Sequence, residues 1–166
     1  MAFDLSTALP YLAPASSAED TAPVFAYGHE DAPVFRVFSK SLLVHYVLDE
    51  PGALVYVRER DVREALRDDL HQVAIDNLRR RVAERKVRFE PKGSTTYAKW
   101  DGQHDPALLL LDELWDHRGA NLVATVPARN KLLICETKDG LAELRAHAHK
   151  SSSELFRRHD RAWHAI

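Results

Sequence analysis

Apolar and polar positions along this chain alternate in short runs, and the runs come in pairs joined by turn residues. The clearest pair spans residues 121–136, NLVATVPARNKLLICE. Leu122, Ala124 and Val126 alternate with Asn121, Val123 and Thr125; beyond the break, Leu132 and Ile134 alternate with Leu133 and Cys135. Neither face is strongly polar, which predicts an interior strand pair covered on both sides. Pro127 has no N–H to give to a ladder and belongs at a strand end. Asn130 tolerates the left-handed conformation that a tight turn uses. The other segments arrange themselves around this hairpin.

Residues 34–38 and 41–49 alternate as strands, and 53–58 return antiparallel after the turn Asp49-Glu50-Pro51-Gly52. Residues 87–90 and 94–100 form a further pair around Pro91-Lys92-Gly93. Three stretches read as helices. In 61–85, Val62, Leu66, Leu70, Val73, Ala74, Leu78 and Val82 recur at helical spacing, and Asp61 with Glu64 predicts a capping box. In 105–117, Asp105 caps, Pro106 takes the first position, and leucines surround most of the helix. Leu141, Leu144 and Ala148 define the third, with a break at 151–153, where Ser151 and Glu154 suggest a fresh cap. Leu155, Phe156 and Trp163 would dock the last segment. The expectation is an α+β fold, an antiparallel or mixed sheet built from hairpins and packed by about three helices. Residues 1–33, broken by Pro10, Pro14, Pro23 and Pro33, read as an irregular N-terminal arm with one short helical or extended piece. Tyr11, Phe25 and Tyr27 would fasten it to a single domain over 34–166.

Composition narrows the function classes. The 166 residues suffice for a hydrophobic core without staples, and the formal charge of −2 gives no overall pull toward nucleic acid or an anionic membrane. The single cysteine, Cys135, lies in an apolar strand and reads as a buried, inert thiol. No run of about 20 apolar residues is present to span a bilayer, and no basic segment precedes the first apolar residues as in a secretory signal. The expected location is the cytoplasm. There is no P-loop, dinucleotide fingerprint, nucleophile elbow or Cys/His zinc spacing, so no cofactor or metal is expected.

Five polar residues stand out as candidate ligand-binding positions. His45 sits mid-strand between Leu43 and Val47, where an imidazole able to titrate near neutrality is unusual. Asp49 ends the same strand. Asn77 falls on the apolar stripe of the first helix, and a buried amide must find partners. Arg129 and Asn130 form the turn of the central hairpin, and a guanidinium there offers a rigid fork of donors to an anion. Arg79, Arg80, Arg81, Arg85 and Lys86 make a basic end to the first helix, which the helix dipole accounts for.

The order of LLVHYVLDEPGALVYV, VAIDNL, LLLLDELW and NLVATVPARNKLLIC resembles the YtpQ-like family of uncharacterised bacterial proteins. The residues that carry the likeness are Tyr46, Val47, Asp49, Ala74, Asn77, Leu78, Trp115, Pro127, Ala128, Arg129 and Asn130. The family turn more often reads Arg-Asp, and Asn130 here removes that carboxylate. The resemblance implies an intracellular bacterial α+β domain and no particular activity. The first functional expectation is a non-catalytic domain that binds a protein partner or itself, because the leucine-rich second helix calls for cover. The second is an enzyme or small-ligand-binding protein with a polar site near the 127–130 turn. The third is weak nucleic-acid binding through the arginines of the first helix.

Overall fold

The computed structural model describes residues 4–14, 29–62 and 67–166. Its contacts group into two compact units, residues 1–84 and 85–166. The fold is α+β, with one antiparallel sheet in each unit. Phe25, Tyr27 and Glu64, on which the expected arm contacts and capping box rest, lie outside the described residues.

In the first unit, β3 (Leu42–Glu50) is the central strand. It pairs along one edge with β1 (Leu9–Pro14) and along the other with β2 (Phe35–Val37) and then β4 (Ala53–Tyr56), all antiparallel. β1 lies in the stretch expected to be an irregular arm, as its one extended piece. Its two prolines fit because, among the described residues, it is an edge strand paired with β3, where a missing N–H can point away from the ladder. Helix α1 (Arg67–Glu84) lays Leu70, Ala74 and Leu78 of the expected stripe into the core, joined by Ile75, while Val73 and Val82 are half-buried. The segment before it, Glu59–Asp61, is a short 3-10 turn whose Asp61 carboxylate accepts from the Arg58 N–H at 2.9 Å.

The second unit is a six-stranded sheet in the order β10-β9-β7-β8-β6-β5. These are β5 (Arg88–Lys92), β6 (Thr95–Lys99), β7 (Val123–Ala128), β8 (Lys131–Cys135), β9 (Leu155–His159) and β10 (Ala162–Ala165). The 121–136 hairpin is therefore interior, as its pattern required. Pro127 lies within β7, where the register shifts between Thr125 and Ala128, and a bulge is one of the few places a sheet accepts proline. Outside glycine, the described residues with positive φ are Ser152, Asp160 and Arg161, so Asn130 makes its turn without the left-handed conformation.

One face of this sheet carries helix α3 (Lys138–Ser151), whose Leu144 packs with Val123, Leu133 and Cys135. A fully buried leucine of this kind contributes about 1.5–3 kcal/mol. The opposite face is covered by residues 105–115. They form a 3-10 stretch (Asp105–Leu110) and the single-turn helix α2 (Asp112–Trp115), in place of the long helix the leucine run suggested. Leu108, Leu109, Leu111 and Trp115 are all 1 % exposed or less, so the chain itself buries the surface that was expected to need a partner. The Trp115 indole donates to the Leu108 carbonyl at 2.8 Å, and Trp163 to that of Leu109 at 3.0 Å. The last segment is a β-hairpin, β9–β10, and not a capped helix. Asp160 and Arg161, at φ 48° and 61°, form a tight turn whose twist suits the flanking strands.

Gly140, in the first turn of α3, fixes how closely the helix approaches the sheet. A Cβ there would sit 2.4 Å from the Ser94 carbonyl oxygen and 2.7 Å from the Cys135 Cβ. Gly140→Ala is expected to destabilise the protein by about 2 kcal/mol through overpacking, despite alanine's better helix propensity. Urea denaturation checks this; a variant as stable as the parent would mean that the helix can shift freely.

Candidate functional site

His45, Asp49 and Asn77 fall in the first unit, Arg129 and Asn130 in the second. Asn77 is 7 % exposed, and its Nδ2 donates to the Ser6 and Ala8 carbonyls at 2.7 and 2.9 Å. Its Oδ1 accepts from Arg80 at 2.7 Å. The first two bonds clamp the entry of β1 to α1 and the third holds the amide within its own helix, so this amide is a fastener. Asp49 is an exposed partner of Arg81, at 2.8 Å. His45 is 2 % exposed, on the β3 face that does not meet α1, with Phe35 and Tyr56 as ring neighbours and Tyr11 opposite it across the ladder. These three side chains serve separate partners and do not converge.

The other face of β3 holds a pair that sequence reasoning missed. The Tyr46 hydroxyl and His71 Nδ1 share a hydrogen bond of 2.9 Å beneath α1. Burial holds the phenol above its ordinary range, with Arg36 pulling the other way. Burial, then the charge of Arg36, holds the His71 imidazole below its own. Both groups are thus kept neutral at pH 7, as a packed polar bond across a helix–sheet interface requires.

In the second unit, Asn130 helps to line a cleft of about 420 Å³ at one end of the sheet, while Arg129 does not. Its position follows from strand register. Arg88 pairs with Lys99, and Ala98 with Leu132, so continuing the ladder by one residue sets Lys131 opposite Lys99. Directly opposed residues project to the same face. Arg88, Lys99 and Lys131 therefore form a row across three adjacent strands, and all three line the cleft, with Arg85 beyond.

The far wall is the loop after β6. Asp105, 3 % exposed, accepts the backbone N–H groups of Trp100, Asp101 and Gly102 on a single oxygen, at 2.9, 3.1 and 3.0 Å. Asp101 in turn accepts from the Gln103 and His104 N–H groups at 2.8 and 2.7 Å and contacts His104 Nδ1 at 2.6 Å. Burial raises the Asp101 pKa, but the His104 ring and the two backbone donors outweigh it and hold the carboxyl below its usual value. Gly102, at φ +80°, allows the tight return that brings these amides together. Both aspartates are thus occupied by their own loop.

Four cations face this cleft against those two occupied carboxylates. One further acid reaches the row: Glu90 lies 2.5 Å from Lys99 and 3.9 Å from Arg88. The hydrogen bond from Lys99 holds the Glu90 carboxyl below its normal range, against a small opposing effect of burial, with the charges of Lys99 and Arg88 adding to it. The cations were legible as residues at strand ends; what sequence could not supply was that β5, β6 and β8 lie side by side. Among the described residues, no three His, Cys, Asp or Glu side chains group as metal ligands, and no helix is long and apolar enough to cross a membrane. No family model, no curated protein and no solved structure matches the chain.

Proposed function

We propose that this chain is a binding protein for a small anionic ligand, held in the cleft at the end of the second unit's sheet. The observation that carries the reading is the row Arg88–Lys99–Lys131. Like charges placed directly opposite on neighbouring strands repel, and each such pair costs a few tenths of a kcal/mol to about 1 kcal/mol. Glu90 offsets only part of this. An anion seated on the row converts the repulsion into attraction, and its volume places the cleft in the range of small-molecule sites. Asn130, from the turn whose sequence resembles that of YtpQ-like proteins, adds an amide beside the cations.

The test is calorimetry and thermal unfolding with phosphate, citrate and tripolyphosphate at constant ionic strength. At least one anion should bind and raise the unfolding temperature. The double variant Lys99→Gln/Lys131→Gln should lose about tenfold or more in affinity, or about 1.4 kcal/mol. It should be no less stable than the parent without ligand. An unchanged response in the double variant would place the anion elsewhere and end the reading.

A protein partner, or a second copy of the chain, is the second reading. It is favoured by the short edge strand β2, whose residues are all exposed, Val37 to 69 %. Among the described residues β2 ends its sheet, and an exposed apolar side chain there suits contact with a partner. Sedimentation analysis should then show self-association that Val37→Lys weakens; a parent chain that stays monomeric at high concentration and retains no partner argues against it.

A further inference from the structure

The cations of the cleft are arranged in a line. Arg88, Lys99 and Lys131 occupy three successive strands, and Arg85 and Asn130 also line the cleft. Neighbouring strands are about 4.8 Å apart, so the three strand positions span about 10 Å. A compact anion with one charged centre reaches all three only by drawing the outer side chains inward, against their mutual repulsion. A linear anion lies along the row with its charges spread, and each cation meets a different group. Glu90 partners the central Lys99 most closely, at 2.5 Å, and reaches Arg88 only at 3.9 Å, so neutralisation is strongest at the centre of the row and weaker at its two ends. Two separated points of attraction favour a ligand with at least two separated charges. The arginines at one end offer forked donors that match phosphoryl oxygens in pairs, and the lysines offer point charges.

We infer that the cleft takes a linear polyphosphate chain, the chemistry shared by inorganic polyphosphates and the tails of nucleoside di- and triphosphates. The inference rests on the anion-binding reading above and narrows it to one ligand class. Volume is consistent with either source: about 420 Å³ accommodates a short phosphate chain alone or one carrying a further group.

The experiment measures binding of phosphate, pyrophosphate, tripolyphosphate, ATP and citrate by calorimetry at fixed ionic strength, on the full chain. Citrate is the control for a compact polyanion. Affinity should rise from phosphate through pyrophosphate to tripolyphosphate, with tripolyphosphate tighter than both phosphate and citrate by about tenfold or more. Its binding should weaken steeply with added salt, because several ion contacts are made at once. Lys131→Gln, at an exposed position, should reduce tripolyphosphate affinity more than phosphate affinity. ATP binding at least as tightly as tripolyphosphate identifies nucleotides as the source of the chain; weaker ATP binding identifies the free chain, and both results uphold the inference. Citrate binding as tightly as tripolyphosphate overturns the linear polyanion and leaves a general anion site. No binding of any of the five overturns both proposals.

Discussion

Replacing Asp105 with alanine is expected to destabilise the protein by about 4 kcal/mol or more, the largest effect of any single substitution considered for the second unit. One carboxylate oxygen accepts three consecutive backbone N–H groups, from Trp100, Asp101 and Gly102, in a site that is 3 % exposed. Hydrogen bonds to a charged acceptor contribute about 1.5–3 kcal/mol each, and removing the acceptor leaves the donors to find water or stay unsatisfied. The loop then has little to hold its return. Asp105→Asn keeps an oxygen in place but not its charge, and should fall between the parent and Asp105→Ala. Urea denaturation followed by tryptophan fluorescence measures both. The same variants test the cleft. Removing a negative charge from the wall should strengthen anion binding by Coulomb attraction alone. Collapse of the wall should weaken it. The geometry favours weakening, since the carboxylate is consumed by its own loop and the loop shapes the cleft. An Asp105→Ala variant within about 1 kcal/mol of the parent would show that the three amides are satisfied equally well without it.

How much of this was legible in the sequence depended on whether a feature was local. From Phe35 to Ser151 the order of strands and helices follows the alternation of apolar positions, and the interior place of the 121–136 hairpin follows from its two apolar faces. Failures came where local signals misled. Pro10 and Pro14 read as breakers, yet an edge strand can take proline on its open side. Asp160-Arg161 lacks the glycine or asparagine that usually marks a two-residue hairpin turn, so the sequence carries no local signal for β9 and β10. Four successive leucines implied a long helix. The chain instead tightens into a 3-10 stretch whose first residue, Asp105, is bound back to the preceding loop. The division into two sheets was not legible either, because it depends on which strands pair over long separations.

The candidate residues divide in the same way. Asn77 on an apolar stripe correctly signalled a satisfied buried amide, since the chemistry of an unpaired amide is local. Asn130 stands out as a turn residue, and its place in the turn sets it at the cleft. Arg88, Lys99 and Lys131 carried no signal. Each is an ordinary charge at the end of a strand candidate, and only the pairing of β6 with both β5 and β8 makes them a row.

The second large effect is one of pH, and it arises from His45. The ring is 2 % exposed, and neither nitrogen has a hydrogen-bond partner among the described residues. Phe35 and Tyr56 are its ring neighbours, and Tyr11 faces it across the β1–β3 ladder. The backbone of Val34 comes near enough to favour the protonated ring slightly, but without the geometry of a hydrogen bond, and burial dominates, pushing the imidazole down to about 4. The unfolded chain binds a proton at this residue near pH 6.5, where the folded one does not. Stability therefore rises with pH through this window and is lost as pH falls from about 6.5 toward 4. The loss from this group between pH 7 and pH 5 should be about 2 kcal/mol, approaching 3 kcal/mol near pH 4. His71, held low by burial as well, adds in the same direction, so the effect of His45 must be read as a difference between variants. His45→Phe keeps an aromatic ring among aromatic neighbours and cannot titrate. Urea denaturation of parent and variant at pH 7 and pH 5 should show the variant losing less stability by about 2 kcal/mol. Equal losses in the two proteins would mean that the imidazole reaches solvent, or a partner, in the folded state.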